Sequence, residues 1–122
     1  MDYEILQTIL KRGFFIQRDF NNNSWVIMKD YKYYVLTLEC ASIYDLVKSI
    51  EIALKKFNTD EFAARIYNSI EGVNLAEALD LAHRIFADTV DLQDDLLKLE
   101  IYQESQDEVA DDTGSESQEK AE

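Results

Sequence analysis

The chain of 122 residues has no proline, three scattered glycines, one cysteine and one histidine. So few glycines exclude a Gly-rich phosphate loop, in which clustered glycines let backbone N–H groups approach an anion. One cysteine excludes an internal disulfide. Cys40 and His83 together fall short of the three or four ligands of a zinc site. No run approaches the ~18 apolar residues of a membrane span. The N-terminus lacks the basic segment, apolar block and small-residue cleavage site of a secretory signal, so a cytoplasmic location is expected. The absence of proline leaves helices and strands uninterrupted.

Positive charge is also scarce, and unevenly so. Residues 1–58 hold eight Lys/Arg and seven Asp/Glu, whereas residues 59–122 hold four Lys/Arg and eighteen Asp/Glu. A nucleic-acid binder needs a basic patch to displace counterions from phosphates. This chain has none, and its second half would repel both nucleic acid and anionic membranes while attracting a basic protein surface.

What the chain does contain is a dense apolar and aromatic stretch, Phe14–Cys40. It reads as three strands, with reversals at Asn21-Asn22-Asn23-Ser24 and near Asp30-Tyr31-Lys32. Alternation places Phe14, Ile16 and Phe20 on one face of the first strand, Trp25 and Ile27 on one face of the second, and Tyr34, Leu36 and Leu38 on one face of the third. The opposite faces carry Phe15, Val26, Met28, Tyr33 and Val35, more apolar than a wet face of an antiparallel sheet usually is. Either helices cover both faces or one face is a surface for a partner.

Helices flank the sheet. Asp2 caps a first helix over about residues 3–12 with Ile5, Leu6, Ile9 and Leu10 as its stripe, and Gly13 suits the left-handed residue that ends it. Ser42 opens a second helix whose apolar face runs through Ile43, Leu46, Val47, Ile50, Ala53, Leu54 and Phe57. A third covers about residues 60–71, with Phe62, Ala63, Ile66, Tyr67 and Ile70 inward. Asn74 with Glu77 opens a fourth helical stretch that reaches about Gln103, with a heptad-like seam through Leu75, Ala78, Ala82, Ile85, Thr89, Leu92, Leu96 and Leu99. Thirty residues of helix would span ~45 Å, too long for a domain whose radius of gyration is ~13 Å. A break near Thr89-Val90-Asp91 is therefore expected; the alternative is that the helix end packs on a second molecule. Residues 104–122 hold eight acids and one lysine, a composition that predicts a disordered tail. The expected fold is α+β: a helix, a three-stranded antiparallel sheet, then three or four helices, in a single domain over residues 1–103.

Two constellations could carry function. Asp88, Asp91 and Asp95 share one helix face, with Asp94 beside them and Glu100 and Glu104 further on. Four carboxylates within eight residues could hold a divalent cation, but no calcium-loop spacing accompanies them. A solvated acidic face is the ordinary reading, and a row of carboxylates at phosphate-like spacing is a surface for a basic groove. No metal or cofactor is expected. Cys40 and His83 could form a nucleophile and base if they met, but Cys40 ends an apolar strand and reads as a core residue, and His83 reads as surface. No enzyme is expected.

The order of elements, together with the acidity, resembles small phage-encoded anti-CRISPR inhibitors of Cas9 over about residues 2–71. That family has a helix, three strands and two helices, and blocks a DNA-binding site by mimicking the charge of DNA. Here the acids lie in the last helices and tail, beyond that overlap, and no binding residue is carried over. The resemblance implies a non-enzymatic inhibitor, in the host cytoplasm if phage-encoded. The chain's own charge distribution makes Asp88, Asp91, Asp94, Asp95, Glu100 and Glu104 the expected face for a basic, nucleic-acid-handling partner. The alternative is a homo-oligomeric adaptor or chaperone, a homodimer through Ile85, Leu92, Leu96 and Leu99 with the apolar sheet face as a second interface.

Overall fold

In the computed structural model, which describes residues 3–99, 101 and 102, the aromatic stretch forms an antiparallel sheet with strand order β1-β2-β3: β1 Phe15–Asp19, β2 Ser24–Tyr31 and β3 Tyr34–Cys40. The first reversal is built by Asp19, whose carboxylate accepts from the backbone N–H groups of Asn21 (3.1 Å) and Asn22 (3.3 Å) and from the Asn22 side chain (2.8 Å). Asn23 supplies the left-handed residue at φ +53° that turns the chain into β2. The pairings Ile16 with Ile27, and Ile27 with Leu38, fix a register that puts the most apolar residues of all three strands on one face.

Helix α1, Tyr3–Lys11, precedes the sheet, and Gly13 at φ +84° ends it, its N–H donating to the Leu10 carbonyl (3.0 Å). Asp2, expected as its cap, lies outside the described residues. After β3, Ser42 caps a single 3-10 turn, Ile43–Asp45, and α2 runs Leu46–Lys56. Helix α3, Thr59–Ser69, is capped by Asn58. Helix α4, Leu75–Leu97, opens with a full capping box: Asn74 accepts from the Glu77 N–H and Glu77 returns a bond to the Asn74 N–H. The fold is thus α+β, in the order expected. No helix among the described residues is long and apolar enough to cross a membrane.

The break expected near residues 89–91 is absent, because α4 runs unbroken through Thr89, Val90 and Asp91. Thr89 is buried and its hydroxyl donates to the Ile85 carbonyl one turn back (2.7 Å), so a side chain that could have opened the helix is satisfied inside it. The helix also ends earlier than expected, at Leu97. At ~1.5 Å per residue it is ~35 Å long, close to the ~34 Å width of a sphere whose radius of gyration is ~13 Å. It crosses the molecule instead of projecting from it.

Two apolar clusters line that crossing. Ala78, Leu81, Ala82 and Ile85 pack against Ala63 and Ile66 of α3. Further along, Leu92 and Leu96, both 0% exposed, join Ile5 and Ile9 of α1, Leu46 and Ile50 of α2, and Ile27 and Leu38 of the sheet. Leu99 packs against this second cluster. The residues expected as an oligomer seam, Ile85, Leu92, Leu96 and Leu99, are therefore occupied by the chain's own helices and sheet. Removing the Leu92 side chain should cost ~2–5 kcal/mol, the range for a fully buried leucine. Urea unfolding of Leu92→Ala checks this, and the loss should not vary with protein concentration; a concentration-dependent midpoint would show that Leu92 sits at an interface between copies.

Candidate functional site

The acidic face of α4 is built by spacing. Asp88, Asp91 and Asp95 recur at three and four residues and project along one side of the helix. That side does not look only into solvent. It borders the C-terminal end of α1 and the inward face of β2, and each neighbour sends a cation to it.

Arg12, just past α1, bonds Asp95 through Nε at 2.5 Å and lies 3.7 Å from Asp91. This pair holds the Asp95 carboxyl below its ordinary value of 3.8, chiefly through the hydrogen bond from Arg12, and raises the guanidinium for the same reason. From β2, Lys29 reaches Asp88 (3.1 Å) and also donates to the Arg12 carbonyl (3.0 Å), which closes the end of α1. The Tyr31 hydroxyl donates to the same oxygen of Asp88 (2.7 Å). Burial pushes the Tyr31 hydroxyl pKa up, and the bond to Asp88 adds to it. The Lys29 ammonium stands over the rings of Phe14 and Tyr31, at 5.2 and 5.6 Å from their centroids.

Of the six carboxylates expected to form a partner-binding row, Asp88 and Asp95 thus serve as internal anchors for β2 and α1, while Asp91 is exposed and lies 3.7 Å from Arg12. Asp94 points outward and is exposed. Glu100 and Glu104 lie outside the described residues, as does the tail read as disordered. The partners Arg12, Lys29 and Tyr31 were missed from the sequence, although one signal was present. Alternation with Trp25, Ile27 and Tyr31 places Lys29 on the inward face, where an ammonium needs a carboxylate nearby.

The remaining candidate pair is separated by environment. Cys40 is buried in the core cluster, and burial, followed by the charges of Asp45 and Glu39, pushes its thiol up to about 11, so little thiolate forms near neutrality. His83 is exposed on α4. Among the described residues no group of three His, Cys, Asp or Glu is placed to hold a metal ion.

Exposed apolar side chains gather elsewhere. The described helices lie on one face of the sheet, through Ile5, Ile9, Leu46, Ile50, Leu92 and Leu96. The other face presents Phe15, Val26, Met28 and Val35; Phe15 is 41% and Val35 48% exposed. Of the two arrangements left open by the apolar strands, helices on both faces or one face bare, the described residues show the second. Phe20, expected to share the inward face with Phe14 and Ile16, instead follows β1 into the turn and is 83% exposed.

Two outcomes follow from the ion-pair geometry. Asp88→Ala leaves a half-buried tyrosine hydroxyl and an ammonium without their acceptor and should cost ~1–3 kcal/mol, whereas Asp94→Ala should stay within ~0.5 kcal/mol of wild type; thermal and urea unfolding compare the two. Because Asp95 titrates lower in the folded chain than in the unfolded one, its contribution is complete above the unfolded carboxylate range near pH ~4 and is lost as pH falls through the folded value. The stability gap between wild type and Asp95→Asn should therefore close on acidification, and unfolding curves across that range measure it.

No protein-family model, curated protein or solved structure matches the chain, so its surfaces have to be read from their own geometry.

Proposed function

We propose that the protein is a non-enzymatic acidic binding protein that occupies a basic, nucleic-acid-binding groove on another protein by charge mimicry, as phage and mobile-element inhibitors do. The observation that supports this most is the excess of negative charge left after internal pairing. Even with Arg12 and Lys29 committed to α4, residues 59–122 set eighteen carboxylates against four cations of their own. Within the described part, residues 59–99 hold nine Asp/Glu and three Lys/Arg. A surface of that balance draws a basic partner at long range and holds it with an energy that salt screens. It repels nucleic acid itself, which makes competition with nucleic acid for a protein partner the consistent mode of action.

The role of the α4 face within this reading differs from a bare carboxylate row. Asp88 and Asp95 are tied to cations, so Asp91, Asp94 and the carboxylates that follow α4 in sequence carry the charge a partner would meet. A homo-oligomeric adaptor that uses the Ile85, Leu92, Leu96 and Leu99 seam together with the apolar sheet face keeps only the sheet face, since the seam side chains pack inside the chain.

The test is competition. Titrating the protein into complexes of duplex DNA with basic DNA-binding enzymes, the CRISPR nucleases among them, should release DNA from at least one. The apparent affinity should fall by about tenfold or more between ~50 and ~300 mM salt. Release that is indifferent to salt, or no release from any enzyme of the panel, contradicts the proposal.

A further inference from the structure

The face of the sheet left bare by the described helices has an ordered layout. Cross-strand pairing sets Phe15 beside Met28 and Met28 beside Thr37; the next row is Gln17, Val26 and Glu39; Asp30 stands beside Val35. Phe15, Met28, Val26 and Val35 form one contiguous apolar stripe. Carboxylates close both ends of it, Asp30 at one end and Asp19 and Glu39 at the other. No Lys or Arg of the three strands alternates onto this face. Lys29 and Arg18 belong to the inward set, and the Arg18 guanidinium lies over the Trp25 ring (5.0 Å), with Nη2 bonded to Asn23 (2.6 Å) and Nη1 buried. The nearest turn cation, Lys32, lies over the Tyr33 ring (5.2 Å).

Glu39 and Asp19 accept from local donors, and Asp30 is exposed. The Ser24 hydroxyl donates to Glu39 (2.6 Å). Bonds from Asn22 and Asn21 hold Asp19 in place and keep its carboxyl ionised below the ordinary range. At the edge of the sheet, where β1 passes into its turn, Gln17, Arg18, Asp19, Phe20, Asn21 and Val26 line a depression of about 470 Å³.

We infer that this face docks a basic amphipathic helix of a partner protein, apolar stripe on apolar stripe, with the partner's Lys or Arg residues beside Asp19, Asp30 and Glu39. The width fits. Three strands at ~4.8 Å spacing are ~10 Å across, the diameter of one helix with its side chains. Charge selects the occupant. A second copy meeting the face with its own sheet would oppose carboxylate to carboxylate, whereas a helix with cations flanking its apolar residues is complementary at both ends. The inference rests on the proposal that the protein engages a basic partner, and adds which face receives it and in what form.

The test uses the full chain, isotope-labelled, with three peptide probes: a Leu/Lys amphipathic helix, the same helix with Glu for Lys, and oligolysine. The Leu/Lys helix should shift the methyl signals of Val26, Met28 and Val35 and should bind at least tenfold more tightly than oligolysine; the Leu/Glu helix should not bind. Val35→Lys and Thr37→Lys, at exposed positions, should each weaken the Leu/Lys helix by about tenfold with the spectrum of the fold intact, and Glu51→Gln, at an exposed position of α2, should not. If Val35→Lys binds as wild type, or the shifts map to α4, the sheet-face inference is overturned while the acidic-partner reading stands. If neither the Leu/Lys helix nor oligolysine binds at low salt, the acidic-partner reading itself is overturned. Concentration-dependent self-association that Val35→Lys abolishes would assign the face to a second copy and overturn the inference.

Discussion

Helix α4 is shared by both hydrophobic clusters, and the other elements take their places along it. Its first half, through Ala78, Leu81, Ala82 and Ile85, packs on α3. Its second half, through Leu92 and Leu96, packs on α1, α2 and the inward face of the sheet. A helix in that position must keep an apolar face along its whole length, which is why a heptad-like seam appears in a chain whose seam is internal. The same sharing draws α1, α2 and α4 onto one side of the sheet, so the bare face is a consequence of the core and not an independent feature.

The polar contacts follow the same geometry. Asp88 and Asp95 lie on the side of α4 that borders β2 and α1, and there they fix Lys29, Tyr31 and Arg12. The Arg12–Asp95 pair is exposed and contributes little individually, whereas the bonds to Asp88 are partly buried. Their value is in register, because they set how α4 lies against the end of α1 and the edge of the core. Charge that is available to a partner is correspondingly displaced, outward to Asp91 and Asp94 and toward the C-terminal residues, and across to the carboxylates that frame the open sheet face.

Much of this was legible in the sequence. The strands, the Asn-rich turn, Gly13, and the caps Ser42 and Asn74 are local signals, each carried by a few residues whose chemistry is the same in any fold. What could not be read is where one element ends against another. A seam at Leu92 and Leu96 has the same spacing whether its partner is another chain or the chain's own helices. The expected break at residues 89–91 came from a length argument that took helix residues beyond Leu97 into account and left out a core long enough to run alongside. Asp88, Asp91 and Asp95 looked like a free row because Lys29 and Arg12, distant in sequence, are brought to them only by the fold. The open sheet face was half visible: alternation showed that both faces are apolar, but not which one the helices would take.

The α4 seam is satisfied within one chain, and the described residues leave an acidic-edged sheet face open. Light scattering at high protein concentration, at low and at high salt, tests it directly. A mass of 14.2 kDa under both conditions is the result this structure predicts; twice that mass at both salts, retained by Val35→Lys, would contradict it, because a salt-independent dimer that does not use the open sheet face needs the apolar seam the fold assigns to its own core.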